Sequence, residues 1–365
     1  MGETPGAPSV SMKLQKSAEQ AKRSPAMVLN NVCHLIDSEC LRAASRQTWK
    51  SRAPGVDKVT AAPYAANLDE TLRDLHERLR ANRYVAPPVE RVWIEKEDGQ
   101  QRPRGQPCCE DKMVQRAVVM MLEAIFAHDF YGFSHGFRKG HRQHQALHEL
   151  REPCRTLHIA WIVDAEVSGC FDHLDWGHLR ECIQQRGSDG GIWRRLGKWL
   201  QAGVLASGAL TSPDKGAPQG GVLSPMVAHV FLHRVLDEWC VKDVHPRMQG
   251  RGFVTRCADD CIIGCELEAD ARRVMEVLPR RLARFRLTMH REKTVLPAFK
   301  RPPSRHQAAG GTGTFDLLGL THYGAKTRRG YGVIKRKTIG KRLRRFMKGI
   351  GTWCRENRHA PLQEQ

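Results

Sequence analysis

Phe253-Val254-Thr255-Arg256-Cys257-Ala258-Asp259-Asp260-Cys261-Ile262-Ile263-Gly264 reads as two short apolar strands folded around adjacent aspartates. Aspartate is depleted from strand interiors, so a pair at the tip of an apolar hairpin needs a counter-charge, and a divalent cation supplies one. Taken alone, the pair is equally well a solvated turn. A second acidic cluster lies upstream. Asp164-Ala165-Glu166 ends the strand-like stretch 156–167, in which Ile159, Trp161 and Val163 share a side, and Gly169-Cys170-Phe171-Asp172 follows. Carboxylates from two strands suit a pair of metal ions about 3.5–4 Å apart, which aligns an attacking 3′-hydroxyl and neutralises the phosphates of an incoming nucleotide. Magnesium fits because it accepts one or two carboxylates together with phosphate oxygens and water.

The composition agrees with a polyanionic partner. The 365 residues are 41% hydrophobic and 27% charged, a globular balance. They carry 59 Lys+Arg against 39 Asp+Glu, a net +20, which favours nucleic acid. From Thr321 onward there are 13 basic and 2 acidic residues, so more than half the excess sits in the last 45 positions. No stretch approaches the roughly 18 apolar residues of a spanning helix. Residues 1–51 lack a charged-then-apolar leader, so a cytoplasmic, bacterial-type location and no membrane partner are expected. The twelve cysteines include no CxxC pair, which argues against zinc and for reduced thiols. Cys257, Cys261 and Cys265 share a strand face and read as small core residues.

Strands and helices are interspersed without a βαβ period, which favours an α+β class. Residues 1–25 read as a polar, mobile arm. Helices are expected over 26–49, 68–81, 114–126, 174–186, 192–202, 225–239 and 269–285, the last with a basic outer face. Strands are expected over 89–95, 315–320 and 331–334, and a very basic helix over 338–354. Lys215-Gly216-Ala217-Pro218-Gln219-Gly220-Gly221 forms a loop whose backbone N–H groups suit a nucleotide or template, although most such loops are plain connectors. Lys96 and Arg102 flank a turn where paired cations suit a triphosphate, or simply solvent. Residues 131–140 mix aromatics with Arg138 and Lys139, which suits stacking on bases and contact with phosphates. His141, His144 and His148 have helical spacing but no completing ligand, and read as a polar face.

Taken in order, these segments resemble the reverse transcriptase encoded by group II introns, the intron maturase. Pro54-Gly55-Val56-Asp57 is similar to that family's entry motif, and Gln101-Arg102-Pro103-Arg104-Gly105-Gln106-Pro107 to its next segment. Gly136-Phe137-Arg138-Lys139-Gly140, running on to His144-Gln145-Ala146, follows. Residues 166–172, 216–225, 257–260 and 290–293 come next, then Leu318-Gly319-Leu320-Thr321-His322-Tyr323. Eight ordered motifs spread over residues 51–358 are far more specific than any one of them. The resemblance implies a right-hand polymerase fold. Residues 1–50 would form an N-terminal arm and helix, 51–322 the fingers and palm, and 323–365 the basic start of a thumb or maturase region.

By the same resemblance, Glu166, Asp259 and Asp260 are the catalytic ligands of Mg2+. Lys96 and Arg102 hold the triphosphate, Gln219 and Gly220 line the nucleotide, and Phe171 gates against a 2′-hydroxyl. Residues 290–293 support the palm. The implied partners are group II intron RNA, an RNA template with a DNA primer, and deoxynucleoside triphosphates. Three departures stand out. The family has Asp where this chain has Glu166, a methylene longer; a shift of about 1 Å at a reacting centre costs on the order of a hundredfold in rate. Cys257 replaces the usual Tyr. The sequence ends where the family's thumb continues, so a truncated copy is expected, and no endonuclease pattern is present.

Two readings therefore stand. One is an RNA-directed DNA polymerase that also assists splicing. The other is an RNA-binding, maturase-like splicing cofactor or decayed copy whose polymerase centre is impaired. Lys335, Arg336, Lys337, Lys341, Arg342, Arg344 and Arg345 fall within eleven positions and are expected to contact RNA phosphates, the alternative being a solvated charged helix.

Overall fold

The computed structural model describes residues 10–24, 28, 32–48, 53–95, 99, 101–187, 190–206, 208–212, 214–299, 313–329 and 332–359. Helices α1 (Val10–Arg23), α2 (Ser38–Thr48), α3 (Ala61–Ala66) and α4 (Leu68–Arg80) precede β1 (Val89–Glu95) and β2 (Gln101–Gln106). α5 (Cys109–Phe126) and α6 (Gln143–Thr156) lead into β3 (Trp161–Ser168). Next come α7 (Trp176–Gln184), α8 (Gly190–Gln201), β4 (Val204–Ala206), β5 (Ala209–Thr211) and α9 (Ser224–Leu232), which runs on through π-helical turns at His233–Asp237 and Cys240–Val244. β6 (Gly252–Cys257), β7 (Asp260–Cys265), α10 (Glu268–Ala283) and β8 (Thr288–Met289) follow, and then β9 (Thr314–Leu317), β10 (Leu320–Lys326), β11 (Gly332–Thr338) and α11 (Gly340–Asn357). The class is α+β, as expected.

The central sheet has the antiparallel order β6-β7-β3-β8. Side chains alternate across a strand, and β3 uses the alternation fully. Val163, Ala165 and Val167 are buried in the core that also holds Ala271, Val274, Leu278 and Leu282 of α10. The opposite face changes character along its length. Ile162 and Ile262 are buried in a smaller cluster with Phe253 and Phe315, and beyond them come Asp164, Glu166 and Asp260. A second sheet has the order β2-β1-β4-β5, and a third the order β11-β10-β9.

Several expectations change. The arm expected over 1–25 contains α1, and its first nine residues lie outside those described. The polar composition of α1 hides a stripe at Leu14, Ser17, Ala18 and Ala21, which is its half-buried or buried side. The buried Arg186 fixes its C-terminal end, donating to the carbonyls of Ala21 and Ser24 at 2.9 and 3.0 Å and to Asp129 Oδ2 at 2.7 Å. Residues 101–107, read only as a motif, contain β2. Pro103 and Gly105 argue against a strand, but β2 is an edge strand, where proline is tolerated. The strand expected from 156 begins at Trp161, because α6 runs through Thr156. Lys335, Arg336 and Lys337 lie on β11 rather than on the basic helix. There Val333 and Ile334 pair with Ala325 and Gly324.

Arg186→Ala leaves Asp129 without its cation and removes both tethers of α1. Breaking one side of such a partly buried pair costs about 3 kcal/mol. We expect that loss in chemical denaturation, with limited proteolysis cutting near residue 24 before the central sheet. An unchanged cleavage pattern would mean that the apolar stripe alone holds α1.

Candidate active site

The acidic residues singled out in the sequence meet at one end of the central sheet. Glu166 sits opposite Asp260 in register, and Asp164 opposite Ile262. Asp259 and Ala258 form the two-residue turn between β6 and β7, where Cys257 pairs with Asp260. Burial pushes the Asp260 carboxyl up to about 7, with Asp259 and Glu166 adding like charge. Asp164 is pushed up to about 7, first by burial and then by Asp260, and Asp259 is raised mainly by burial. Carboxylates crowded together out of water favour a nearby cation. Here Lys293 supplies one, its Nζ lying 2.6 Å from Glu166 Oε1. The adjacent backbone is tied as well, His290 N donating to Glu166 O at 2.9 Å. These oxygen donors suit a hard ion such as magnesium. Among the described residues no three His, Cys, Asp or Glu side chains form a ready metal cage, and the Glu166 carboxylate faces Lys293 instead.

The turn that carries Asp259 is fixed from behind. Ala258 has φ +61°, a conformation that costs a non-glycine residue about 1–2 kcal/mol. The Arg256 side chain, fully buried, donates from Nη1 to Ala258 O at 2.8 Å. Its other nitrogens make a two-point ion pair with the equally buried Asp237, at 2.6 and 2.7 Å, and reach Ser134 Oγ at 2.6 Å. Arg256 N donates to Phe133 O, and Arg256 O accepts from His135 N, both at 2.9 Å. At Gly136 any Cβ would collide with the Ala258 backbone. The segment 131–138 therefore lies directly against the acidic turn.

The glycine loop is braced against β2 and the turn after β3. Arg102 Nε donates to Gln219 Oε1 at 2.9 Å, and Gln219 Nε2 donates to Asp172 Oδ2 at 3.1 Å. Gly105 N donates to Gln219 O at 2.6 Å. Gly220 has φ +105°, and a Cβ there would lie 2.8 Å from Gly105 O, so only glycine fits. Ala217 N donates to Phe171 O at 2.7 Å, and the half-buried Phe171 ring meets Phe137 edge-on at 6.2 Å. Arg102, Phe171, Gln219 and Gly220 are thus brought together. Lys96 lies outside the described residues.

The model of the reverse transcriptase (RNA-dependent DNA polymerase) family matches residues 94–322, the segment that contains all of these groups except Lys335 to Arg345. The chain belongs to that family. It is 32% identical over 231 residues to protein YkfC of Escherichia coli K12, covering 61% of each chain. It is 33% identical over 168 residues to the group II intron-encoded protein LtrA of Lactococcus lactis, covering 46% of this chain and 28% of that protein. Similarity to the mitochondrial nuclear intron maturase 1 of Arabidopsis thaliana is 26% over 113 residues, 16% of that protein. The chain therefore spans less than two thirds of the length of these relatives.

In this reverse transcriptase chain the expected nucleic-acid residues divide. Arg138 is half-buried; its Nη1 donates to the carbonyls of Tyr131 and Ser134, both at 2.7 Å, and its guanidinium lies 5.4 Å over Phe130. It braces the 131–138 segment, while Lys139 is exposed. Lys335, Arg336, Lys337, Lys341, Arg342, Arg344 and Arg345 are all exposed, with Lys337 Nζ 5.5 Å over Tyr323. Sequence reasoning missed Lys293 as the partner of Glu166, Asp172 as the partner of Gln219, and the Arg256–Asp237 pair. Arg256 carried the one signal for the pair, a charge inside the apolar run 253–257, and buried charges require partners.

His229 closes this network. Its Nε2 lies 3.4 Å from Ser134 Oγ and its ring meets Phe130 edge-on at 4.3 Å. Burial, with Arg256 adding, pushes its pKa down to about 2. The folded chain keeps His229 neutral, whereas the unfolded chain protonates it near pH 6.5. The unfolded form then binds more protons, so stability is complete above about pH 6.5 and falls as pH drops below it. We expect this group to cost up to about 1.4 kcal/mol per pH unit there. Urea midpoints measured from pH 7 to pH 5 should show a shallower decline in His229→Leu; parallel declines would assign the acid sensitivity to other histidines.

Proposed function

We propose that this chain is an RNA-directed DNA polymerase of a group II intron, extending a primer 3′-hydroxyl with deoxynucleotides along an RNA template. The observation that carries the reading is the convergence of Glu166, Asp259 and Asp260 at one sheet end, inside the segment matching the reverse transcriptase family. The central sheet is then the palm, β1, β2 and the helices around α5 the fingers, and residues 323–365 the beginning of a thumb. Reverse transcriptases work with divalent metal ions. Magnesium would be held by Glu166, Asp259 and Asp260, where it would neutralise phosphate charge and ease deprotonation of the primer hydroxyl.

The chain's own groups define the rest of the chemistry. Arg102, bridged by Gln219 to Asp172, presents a guanidinium to a triphosphate, with Lys96 expected beside it. The Gln219-Gly220 backbone lets a nucleotide approach closely. Phe171, fixed by its own carbonyl and by Phe137, stands against a 2′-hydroxyl and so selects deoxynucleotides. Lys139 and the exposed cations from Lys335 to Arg345 supply phosphate contacts for template and intron RNA.

The Glu166–Lys293 pair favours the second reading, an intron-RNA-binding splicing cofactor with an impaired polymerase centre, since a carboxylate held by lysine is not free for a metal. Primer extension separates the two. Asp259→Asn should abolish extension while leaving RNA affinity within about twofold, a change of under 0.5 kcal/mol. Glu166→Asp, too short to keep the lysine contact, should raise single-turnover extension roughly ten- to a hundredfold, about 1.4–2.7 kcal/mol of barrier. Wild-type and Glu166→Asp chains that both bind RNA without extending primers would establish the cofactor reading.

A further inference from the structure

The basic outer face of α10 takes no part in the function proposed above. The inner stripe of α10 packs under Val163, Ala165 and Val167, so the helix lies on the side of the sheet away from Glu166 and Asp260. With the chain that follows α9, its outer side encloses an open groove of about 370 Å³. Trp239, Val244 and Val277 give the groove an apolar floor, and arginines line its rim.

The rim arginines differ in what they hold. Arg247 is paired with Asp243 at 3.0 Å, and Arg280 with Glu276 at 2.8 Å. Arg281 donates to the carbonyls of Val235 and Arg234 and lies 4.7 Å over the Phe285 ring. The side chains of Arg273 and Arg284, both exposed, have no hydrogen-bond or ion-pair partner among the described residues. Arg273, Val277, Arg280 and Arg284 follow one another at intervals of four, three and four, so they share a helix face; at 1.5 Å per residue the two free guanidinium stems start about 16 Å apart. The facing wall is rigid: the buried Asp270 carboxylate accepts from Gln249 N at 3.1 Å and from Gly250 N at 2.8 Å. The groove is thus already shaped, with its two acidic residues occupied and two cations unspent.

We propose that this groove binds a single-stranded stretch of RNA outside the copying cleft, an inference that rests on the reading of RNA as this chain's partner. A basic track over an apolar and aromatic floor is the arrangement that holds single strands, phosphates on the cations and a base on the floor. A repeating phosphate backbone satisfies both free guanidiniums at once. The placement on the helix side of the sheet makes this a second RNA contact, separate from the template.

The test uses the full chain and a fluorescent single-stranded RNA, with affinity followed by anisotropy across a salt series. Arg273→Ala/Arg284→Ala should flatten the log–log salt slope by about 1.4, about 0.7 for each lost phosphate contact. It should leave single-turnover extension of a preformed primer–template unchanged. Arg273→Lys/Arg284→Lys should restore the slope. An unchanged slope in the alanine variant, with its unfolding midpoint equal to wild type, overturns the proposal. So does a variant that keeps RNA binding while losing the binding of a polyglutamate peptide, which would make the groove a site for acidic protein. If the wild type binds RNA but fails to extend primers, the polymerase reading falls while the salt slope still decides the groove.

Discussion

The buried ion pair between Arg256 and Asp237 is the constraint on which the acidic site depends. A guanidinium and a carboxylate with no exposed surface lose several kcal/mol of hydration each, and only near-complete hydrogen bonding offsets the loss. Arg256 achieves it by spending its donors on three separate segments: Asp237 on the continuation of α9, Ser134 in the 131–138 segment, and the Ala258 carbonyl in its own hairpin. The hairpin, the long helix and the aromatic segment are therefore fixed against one another by one side chain. The energetic argument does not make the pair a source of net stability, because an apolar replacement of similar volume is often no worse. Its effect is geometric: it holds Ala258 at a positive φ and so sets where Asp259 and Asp260 stand. Strain of that kind persists only where the surroundings over-determine it, and Arg256 and Gly136 do so here.

A second consequence concerns charge. The strand alternation that buries Val163, Ala165 and Val167 necessarily presents Asp164 and Glu166 on the other face, next to Asp260. The register brings these carboxylates together, and burial raises the cost of ionising Asp164 and Asp260. The chain meets this with Lys293, whose position depends on the segment after β8 being tied to β3 through His290 and Glu166. Glu166 reaches this lysine with a side chain one methylene longer than aspartate. That length gives the carboxylate an internal partner, Lys293 Nζ at 2.6 Å.

The sequence made legible whatever is local and periodic. The hairpin 253–264 declared itself by period-two apolar residues around an acidic turn, and α4 by the stripe Leu72, Leu75 and Leu79. The meeting of Glu166 with Asp259 and Asp260 came from the order of family motifs, since no local pattern pairs β3 with β7. What stayed hidden is tertiary. Arg256 and Asp237 are 19 positions apart, and Lys293 and Glu166 are 127 apart, so no local pattern pointed from one partner to the other. β2 was obscured by Pro103 and Gly105, which only an edge position tolerates. α1 was obscured because small residues, Ser17, Ala18 and Ala21, form its contact face and carry little hydrophobic signal. Arg138 shows a role that the sequence did not reveal: its Nη1 donates to the carbonyls of Tyr131 and Ser134 and so braces the segment that its place among aromatics had marked for phosphate contact.

The two faces of the central sheet divide the electrostatic problem of a strongly basic protein. On one face Asp164, Glu166 and Asp260 gather, and under the proposed function any nucleic acid drawn there encounters negative charge at the centre of the site. Attraction must therefore come from cations elsewhere. Under the same proposal Arg102 would meet this need near Asp259, and the exposed cations of β11 and α11 would meet it beyond. On the other face α10 turns its apolar stripe inward and leaves its arginines outward; glutamates one turn away neutralise Arg272 and Arg280, and Arg281 donates to the carbonyls of Val235 and Arg234. Arg273 and Arg284 are the exceptions, and they stand at the two ends of an apolar floor. Exposed charges about 16 Å apart are largely screened from one another by salt, so leaving both unpaired costs the free chain little, and both stay available to a phosphate backbone laid across the floor.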